Sequence, residues 1–93
     1  MNFKKDKILR NSDVAWRHVD GLAVLITPHN SELHRLNEMG TFIWNRIPTE
    51  GILFNQVVDQ ILIKFEVERK KAEDHLKKFF QVLFKKRVVV IED

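Results

Sequence analysis

The sequence contains no cysteine, only three glycines and no long apolar run. The lack of cysteine removes disulfides, thiolate metal ligands and cysteine nucleophiles, and it is typical of a reducing cytoplasm, where we expect the protein. Three separated glycines do not form a glycine-rich phosphate loop. A membrane span needs about 18 consecutive apolar residues, so no membrane contact is expected. The charged stretch Met1–Lys7 lacks the apolar core of a signal peptide.

Residues that carry catalysis or bind metals are also sparse. The four histidines, at positions 18, 29, 34 and 75, do not follow the close spacing of metal ligands. Serine occurs only as Ser12 and Ser31, and neither has the sequence context of a nucleophile elbow or a triad. We therefore expect no catalytic residue, no metal and no cofactor, and the protein is predicted not to be an enzyme.

Length and composition predict one globular domain over residues 1–93. The chain is 44% apolar and 31% charged, which is ordinary for a folded protein with a single modest core. The net charge of +3 arises largely near the two ends of the chain, for example at Lys85-Lys86-Arg87. Such clusters indicate solvated ends, with weak attraction to nucleic acid as the lesser alternative. Residues 1–12 are predicted to be a flexible or partly extended lead-in.

The apolar residues alternate with a period of two up to Leu36, which is typical of strands. Residues 13–19 and 22–27 are predicted strands, and Asp20-Gly21 between them is a strong hairpin signal because a type I′ turn needs positive φ at both positions. Residues 32–36 form a third, short strand. The sequence therefore predicts a small antiparallel sheet in the N-terminal half.

After Asn37 the period changes to that of a helix. Asn37 is predicted to cap the first helix, since its side chain can accept a hydrogen bond from a free amide of the first turn. Helices are predicted over residues 38–46, 53–65 and 69–86, followed by a short strand over 88–91. The predicted fold class is α+β and winged-helix-like: an N-terminal three-stranded antiparallel β-sheet followed by three α-helices and a short C-terminal strand.

The third helix has more apolar surface than one seam requires. Phe80 and Phe84 lie beside Glu73 and Lys77 on one side, and Val82 widens the stripe on the other side. The apolar arc therefore spans about 200°, twice the width that a surface helix needs to bury. The helix is either packed from two sides or presents part of this arc to a partner. The seam that faces the core is predicted to contain Ala72, Leu76, Phe79 and Leu83.

The stretch Leu36–Trp44, with the sequence LNEMGTFIW, resembles the "LNetGa-iW" signature of the PqqD family. This family comprises the small chaperones of pyrroloquinoline quinone biosynthesis and the related RiPP recognition elements. The resemblance continues through the second and third helices and covers roughly residues 13–91. The chain departs from the family pattern at Pro48–Gly51, where Asp-Gly is usual, at His75, where Asp is usual, and at Arg87, where Gly is usual. These departures indicate a divergent member whose pathway need not make pyrroloquinoline quinone.

The resemblance implies a non-catalytic, peptide-binding chaperone. Family members bind the leader of a ribosomally made precursor peptide as an added strand and present it to a modifying enzyme, often a radical SAM protein. Among the residues implied for this role, His34 is a candidate cation for acidic leader residues. The implied peptide-binding residues are Glu32, Leu33, His34, Arg35 and Leu36 on the third strand and Glu73, Lys77, Phe80 and Phe84 on the third helix.

Two other roles compete with peptide binding. The helix pair could be a DNA-binding helix-turn-helix with cations such as Arg69 and Lys70 on phosphates, although Glu68, Glu73 and Asp74 among them would repel a phosphate backbone. Alternatively, open strand edges could pair two copies into a homodimer or another oligomer. The sequence also leaves the role of Trp16 open.

Overall fold

Across residues 6–92, the computed structural model contains six strands and three α-helices. In the described part of the chain, no helix is long and apolar enough to cross a bilayer. The elements in chain order are β1 (Lys7–Arg10), β2 (Ala15–Val19), β3 (Leu22–Ile26), β4 (Leu33–Arg35), α1 (Glu38–Asn45), β5 (Ile52–Leu53), α2 (Phe54–Lys64), α3 (Arg69–Lys85) and β6 (Val89–Glu92).

The predicted three-stranded antiparallel sheet is confirmed. Its strand order is β2-β3-β4. Asp20 and Gly21 have φ values of 54° and 83°, as the two central positions of a type I′ hairpin turn require, and they place Val19 opposite Leu22. The side of this sheet that carries Leu25 is buried under α1, so the sheet contributes one layer of the core.

A second three-stranded sheet, with the order β5-β1-β6, was not predicted. Residues 7–10, expected within a flexible or partly extended lead-in, form β1, and Ile8 is fully buried opposite Ile91. The C-terminal strand pairs with β1 rather than with the first sheet. A four-residue strand with one fully buried side chain has too little periodicity to be recognised locally, because its partners come from distant parts of the chain. Residues 1–5 of the lead-in lie outside the described residues.

The helices begin and end within one residue of the predicted bounds. Asn37 caps α1 as predicted, since its Oδ1 accepts a 2.8 Å hydrogen bond from the backbone N–H of Gly40. Trp44 on this helix is fully buried. A Cβ added to Gly40 would lie 3.2 Å from the Phe79 ring and 3.3 Å from Leu36 Cβ, so the absence of a side chain allows α3 to approach α1 closely.

The side of α3 that faces the core differs from the prediction by one residue. Phe80, expected on the peptide-facing side, is fully buried and meets the Phe54 ring with a centroid distance of 6.3 Å. Phe79, expected in the core seam, is only partly buried. The buried stripe consists of Ala72, Leu76, Phe80 and Leu83.

Arg10 connects the two sheets to α1. Its guanidinium lies 4.5 Å from the Trp16 ring centroid and 4.6 Å from that of Trp44, and its Nη2 donates a 2.7 Å hydrogen bond to the Trp44 carbonyl. Cation–π contacts contribute about 0.5–2 kcal/mol each. Burial lowers the pKa of Arg10 from its ordinary value. Trp16, whose role the sequence left open, is thus half of this stacked arrangement.

The end of α3 adopts a Schellman motif. Val88 N–H donates to the Leu83 carbonyl and Arg87 N–H to the Phe84 carbonyl, each at 3.0 Å. Arg87 takes the left-handed conformation with φ of 64°. This position normally favours glycine because a Cβ is strained there.

We predict that Arg87→Gly stabilises the protein by about 1 kcal/mol, because it relieves the left-handed strain without removing the backbone bonds of the motif. Urea unfolding monitored by tryptophan fluorescence measures the change. Arg87→Ala is the matched control, since it removes the same side chain but retains the Cβ, and it should give no comparable gain. Equal midpoints for Arg87→Gly and the natural chain would contradict the strain.

Candidate functional site

β4 presents an open backbone edge. Within residues 6–92 it pairs only with β3. Thr27 N–H donates to the Glu32 carbonyl at 3.0 Å, and Leu36 N–H donates to the Ala23 carbonyl at 2.9 Å, so Glu32 and Leu36 direct their backbone groups toward β3. Because hydrogen-bonded and non-hydrogen-bonded pairs alternate along an antiparallel ladder, the N–H and C=O groups of the intervening positions 33 and 35 point outward. These four groups can accept another strand.

One flank of α3 runs alongside β4 in the opposite direction. Lys86 Nζ lies 2.7 Å from Glu32 Oε1 at one end of the strand, and Phe79 shares the space beside Gly40 with Leu36 at the other end. Phe79 and Lys86 lie seven residues apart, about two helical turns, and therefore on the same side of the helix. We call the trough between them the β4–α3 groove, defined by Glu32, His34 and Leu36 on the strand side and Phe79, Val82 and Lys86 on the helix side.

A depression lies at one end of the β4–α3 groove. At the end of β4 nearest the 27–32 turn, a depression of about 410 Å³ is bounded by Glu32, Val82 and Lys86. Val82 is 45% exposed. The groove therefore offers apolar contact on its helix side and charge at one end.

The charged groups of the groove perturb one another. The hydrogen bond and charge of Lys86 lower the pKa of Glu32 from its ordinary value. Partial burial, followed by repulsion from Lys86, lowers the pKa of His34 below 6.5, and the Glu32 charge opposes this only in part. His34 is therefore neutral at neutral pH. The cation in this part of the groove is Lys86, which is paired with Glu32 and has most of its side chain covered.

The structure separates the predicted peptide-binding residues into three groups. Residues 32–36 form the open edge and the strand side of the groove. Phe80, expected as a peptide contact, is fully buried in the core and lies outside the groove. Glu73, Lys77 and Phe84 project from the other flank of the buried stripe, away from the side that carries Lys86.

Sequence reasoning missed the side chains that face β4. They recur at positions 79, 82 and 86, a helical stripe whose spacing is visible in the sequence. This stripe mixes an aromatic and an aliphatic residue with a lysine, so its apolar signal is weaker than that of the phenylalanines beside it. The choice between the two flanks depends on which phenylalanine is buried.

We predict that His34 makes stability pH-dependent near and below pH 6.5. Its folded pKa is lowered, so the unfolded chain binds more protons in this window. Its contribution to stability is complete above the unfolded pKa and is lost as the pH falls through that value toward the folded pKa. Urea midpoints at about pH 5.5 and 7.5 should differ more for the natural chain than for His34→Gln. Identical pH dependence in both proteins would contradict the prediction; Glu32 titrates at lower pH and does not interfere.

Comparison with solved structures places this fold beside two peptide complexes. TbiB1 in complex with the TbiA(beta) leader peptide has a TM-score of 0.79 and 26% sequence identity, and the match covers 87% of this chain and 93% of that one. Lasso peptide synthetase B1 complexed with the leader peptide has a TM-score of 0.77 and 20% identity, with 89% and 96% covered, and this likeness concerns the fold alone. No curated protein sequence matches the chain.

The sequence itself matches a family model. The model of coenzyme PQQ synthesis protein D (PqqD) matches residues 23–89, which is more than half of the chain. The match begins within β3 and includes β4, all three helices and the start of β6, and thus every residue of the β4–α3 groove. The chain therefore belongs to the PqqD family.

Proposed function

We propose that this protein is a non-catalytic chaperone that captures the leader of a ribosomally synthesised precursor peptide by strand addition on β4 and presents it to a modifying enzyme. The observation that carries the proposal is the outward-facing backbone of positions 33 and 35 next to an apolar helix flank. Strand addition uses both features, because main-chain bonds give affinity and side-chain contacts give selectivity.

The backbone hydrogen bonds of β4 contribute only a limited part of the binding free energy. Two outward residues can form up to four hydrogen bonds with a guest strand, and each contributes about 0.5–1.5 kcal/mol net. Useful affinity therefore depends on the groove as well. Alternate side chains of the guest enter it and cover Phe79 and Val82, whereas the others point to the opposite face of the extended sheet. Selectivity for one leader resides in these inward side chains.

A solved structure supports leader binding by this chain. TbiB1, at 26% identity, is bound to a leader peptide in its solved structure, and this chain spans nearly all of TbiB1 in that comparison. The partner that receives the peptide is a modifying enzyme, for which a radical SAM protein is one candidate. We place this exchange in the cytoplasm. No feature of these relatives favours the DNA-binding alternative.

We predict that Leu33→Pro weakens peptide binding about fivefold or more, because proline removes an outward N–H worth about 1 kcal/mol and blocks approach to the edge. Fluorescence anisotropy with labelled synthetic peptides, one for each short peptide gene beside this gene, measures the affinity. The fold should persist, since this N–H does not bond β3.

Two control variants separate the loss of the β4 backbone N–H from other effects of the substitution. Leu33→Ala shortens the same side chain but keeps the N–H, so its affinity should remain near that of the natural chain. His18→Pro places a proline on β2, the opposite edge of the sheet, and should not affect binding. Equal affinity of Leu33→Pro and Leu33→Ala would exclude strand addition at β4. Sedimentation of the free protein tests whether a second copy occupies this edge instead.

A random-sequence DNA duplex tests the competing function. Binding to phosphates releases counterions and weakens steeply with salt. We expect no measurable duplex binding at moderate salt and no loss of any weak binding upon Phe79→Ala, whereas peptide binding should fall in that variant. Salt-steep duplex binding that is tighter than binding to every peptide would favour the nucleic-acid role.

A further inference from the structure

The sheet β2-β3-β4 has a second face that points away from α1 and the core. The register places Ala15, Ile26 and Leu33 side by side on this face. Ile26 is 39% exposed and Leu33 57% exposed. An antiparallel sheet that covers a core on one side normally carries polar residues on the other side. We call this surface the outer face; its apolar character indicates that something covers it.

Two arginines flank the centre of the outer face. Arg17 and Arg35 lie on either side of Val24 in one cross-strand row. Val24 is only 9% exposed although it is not part of the core cluster, so residues of the outer face itself shield it. Together with the neighbouring apolar row, these residues line a shallow depression of about 410 Å³. No carboxylate among residues 6–92 forms an ion pair with either arginine.

These two arginines favour one kind of binding partner for the outer face. A second copy of the chain packed face to face across a two-fold axis would bring like patches together. Arg17 and Arg35 of both copies would then be buried in one interface without carboxylates, which is costly. A protein surface with acidic residues around an apolar centre would instead complement the outer face.

We propose that the outer face docks the enzyme that modifies the captured peptide, through a patch with carboxylates opposite Arg17 and Arg35 and apolar side chains over Val24 and Ile26. This inference rests on the proposed function. It also follows from the position of β4, because Leu33 and Arg35 direct their backbone toward the guest strand and their side chains toward the outer face. An enzyme on this face lies beside the guest strand and receives the peptide as it leaves the sheet.

The test uses the full-length protein, without peptide, in isothermal titration calorimetry with each purified candidate enzyme, a radical SAM or protease-like protein whose gene neighbours this one. Arg17→Glu should weaken enzyme binding roughly tenfold or more, because it places like charges opposite each other. Arg17 lies on β2, two strands from the open edge, so peptide affinity should not change. Lys77→Glu makes the same charge change on the exposed side of α3 and should leave enzyme binding intact.

Each outcome decides the proposal. Loss of enzyme binding in Arg17→Glu with normal peptide affinity supports it, and partial loss in the milder Arg17→Gln confirms that the charge is responsible. Equal effects of Arg17→Glu and Lys77→Glu, or a natural chain that does not bind the enzyme, would overturn it. So would a dimer of the natural chain that Arg17→Glu dissociates. Failure of the natural chain to bind any peptide, with enzyme binding retained, would instead refute the capture function and leave the docking face standing.

Discussion

The burial of Phe80 determines how α3 is rotated, and the candidate site depends on that rotation. The Phe80 ring packs against Phe54 of α2 in the core. With Phe80 directed inward, Phe79 turns toward the start of α1 and the end of β4. Val82 and Lys86 follow on the same flank, about one and two turns later. The helix therefore presents a mixed apolar and cationic flank to β4, and its other flank faces away.

The second sheet is the reason that β4 remains open. The C-terminal strand pairs with β1 and so does not add to the edge of β4. Arg10, at the end of β1, holds this sheet against Trp16 and Trp44 through its guanidinium and a hydrogen bond to the Trp44 carbonyl. Both ends of the described chain are thus used in the second sheet, which leaves the edge of β4 available to a guest.

The three residues of β4 present different groups in three directions. In the plane of the sheet, β4 offers main-chain groups; on the inner side, His34 borders the β4–α3 groove; on the outer side, Leu33 and Arg35 contribute to the outer face. The pleat enforces this division because successive side chains alternate between the two faces. Peptide capture and contact with a processing enzyme can therefore occur on the same strand without competing for the same side chains.

The sequence by itself determined the features that depend on local geometry: the Asp20-Gly21 hairpin, the Asn37 cap, the helix bounds and the presence of a short strand before Asn37. Tertiary structure alone decided that residues 7–10 form a strand and that Phe80 rather than Phe79 enters the core. Turns and caps are set by neighbouring residues, so their chemistry is readable in the chain. The pairing of β1 with β6 depends on packing between distant parts of the chain. The choice between two adjacent phenylalanines, about 100° apart on a helix, likewise depends on the elements that pack against that helix.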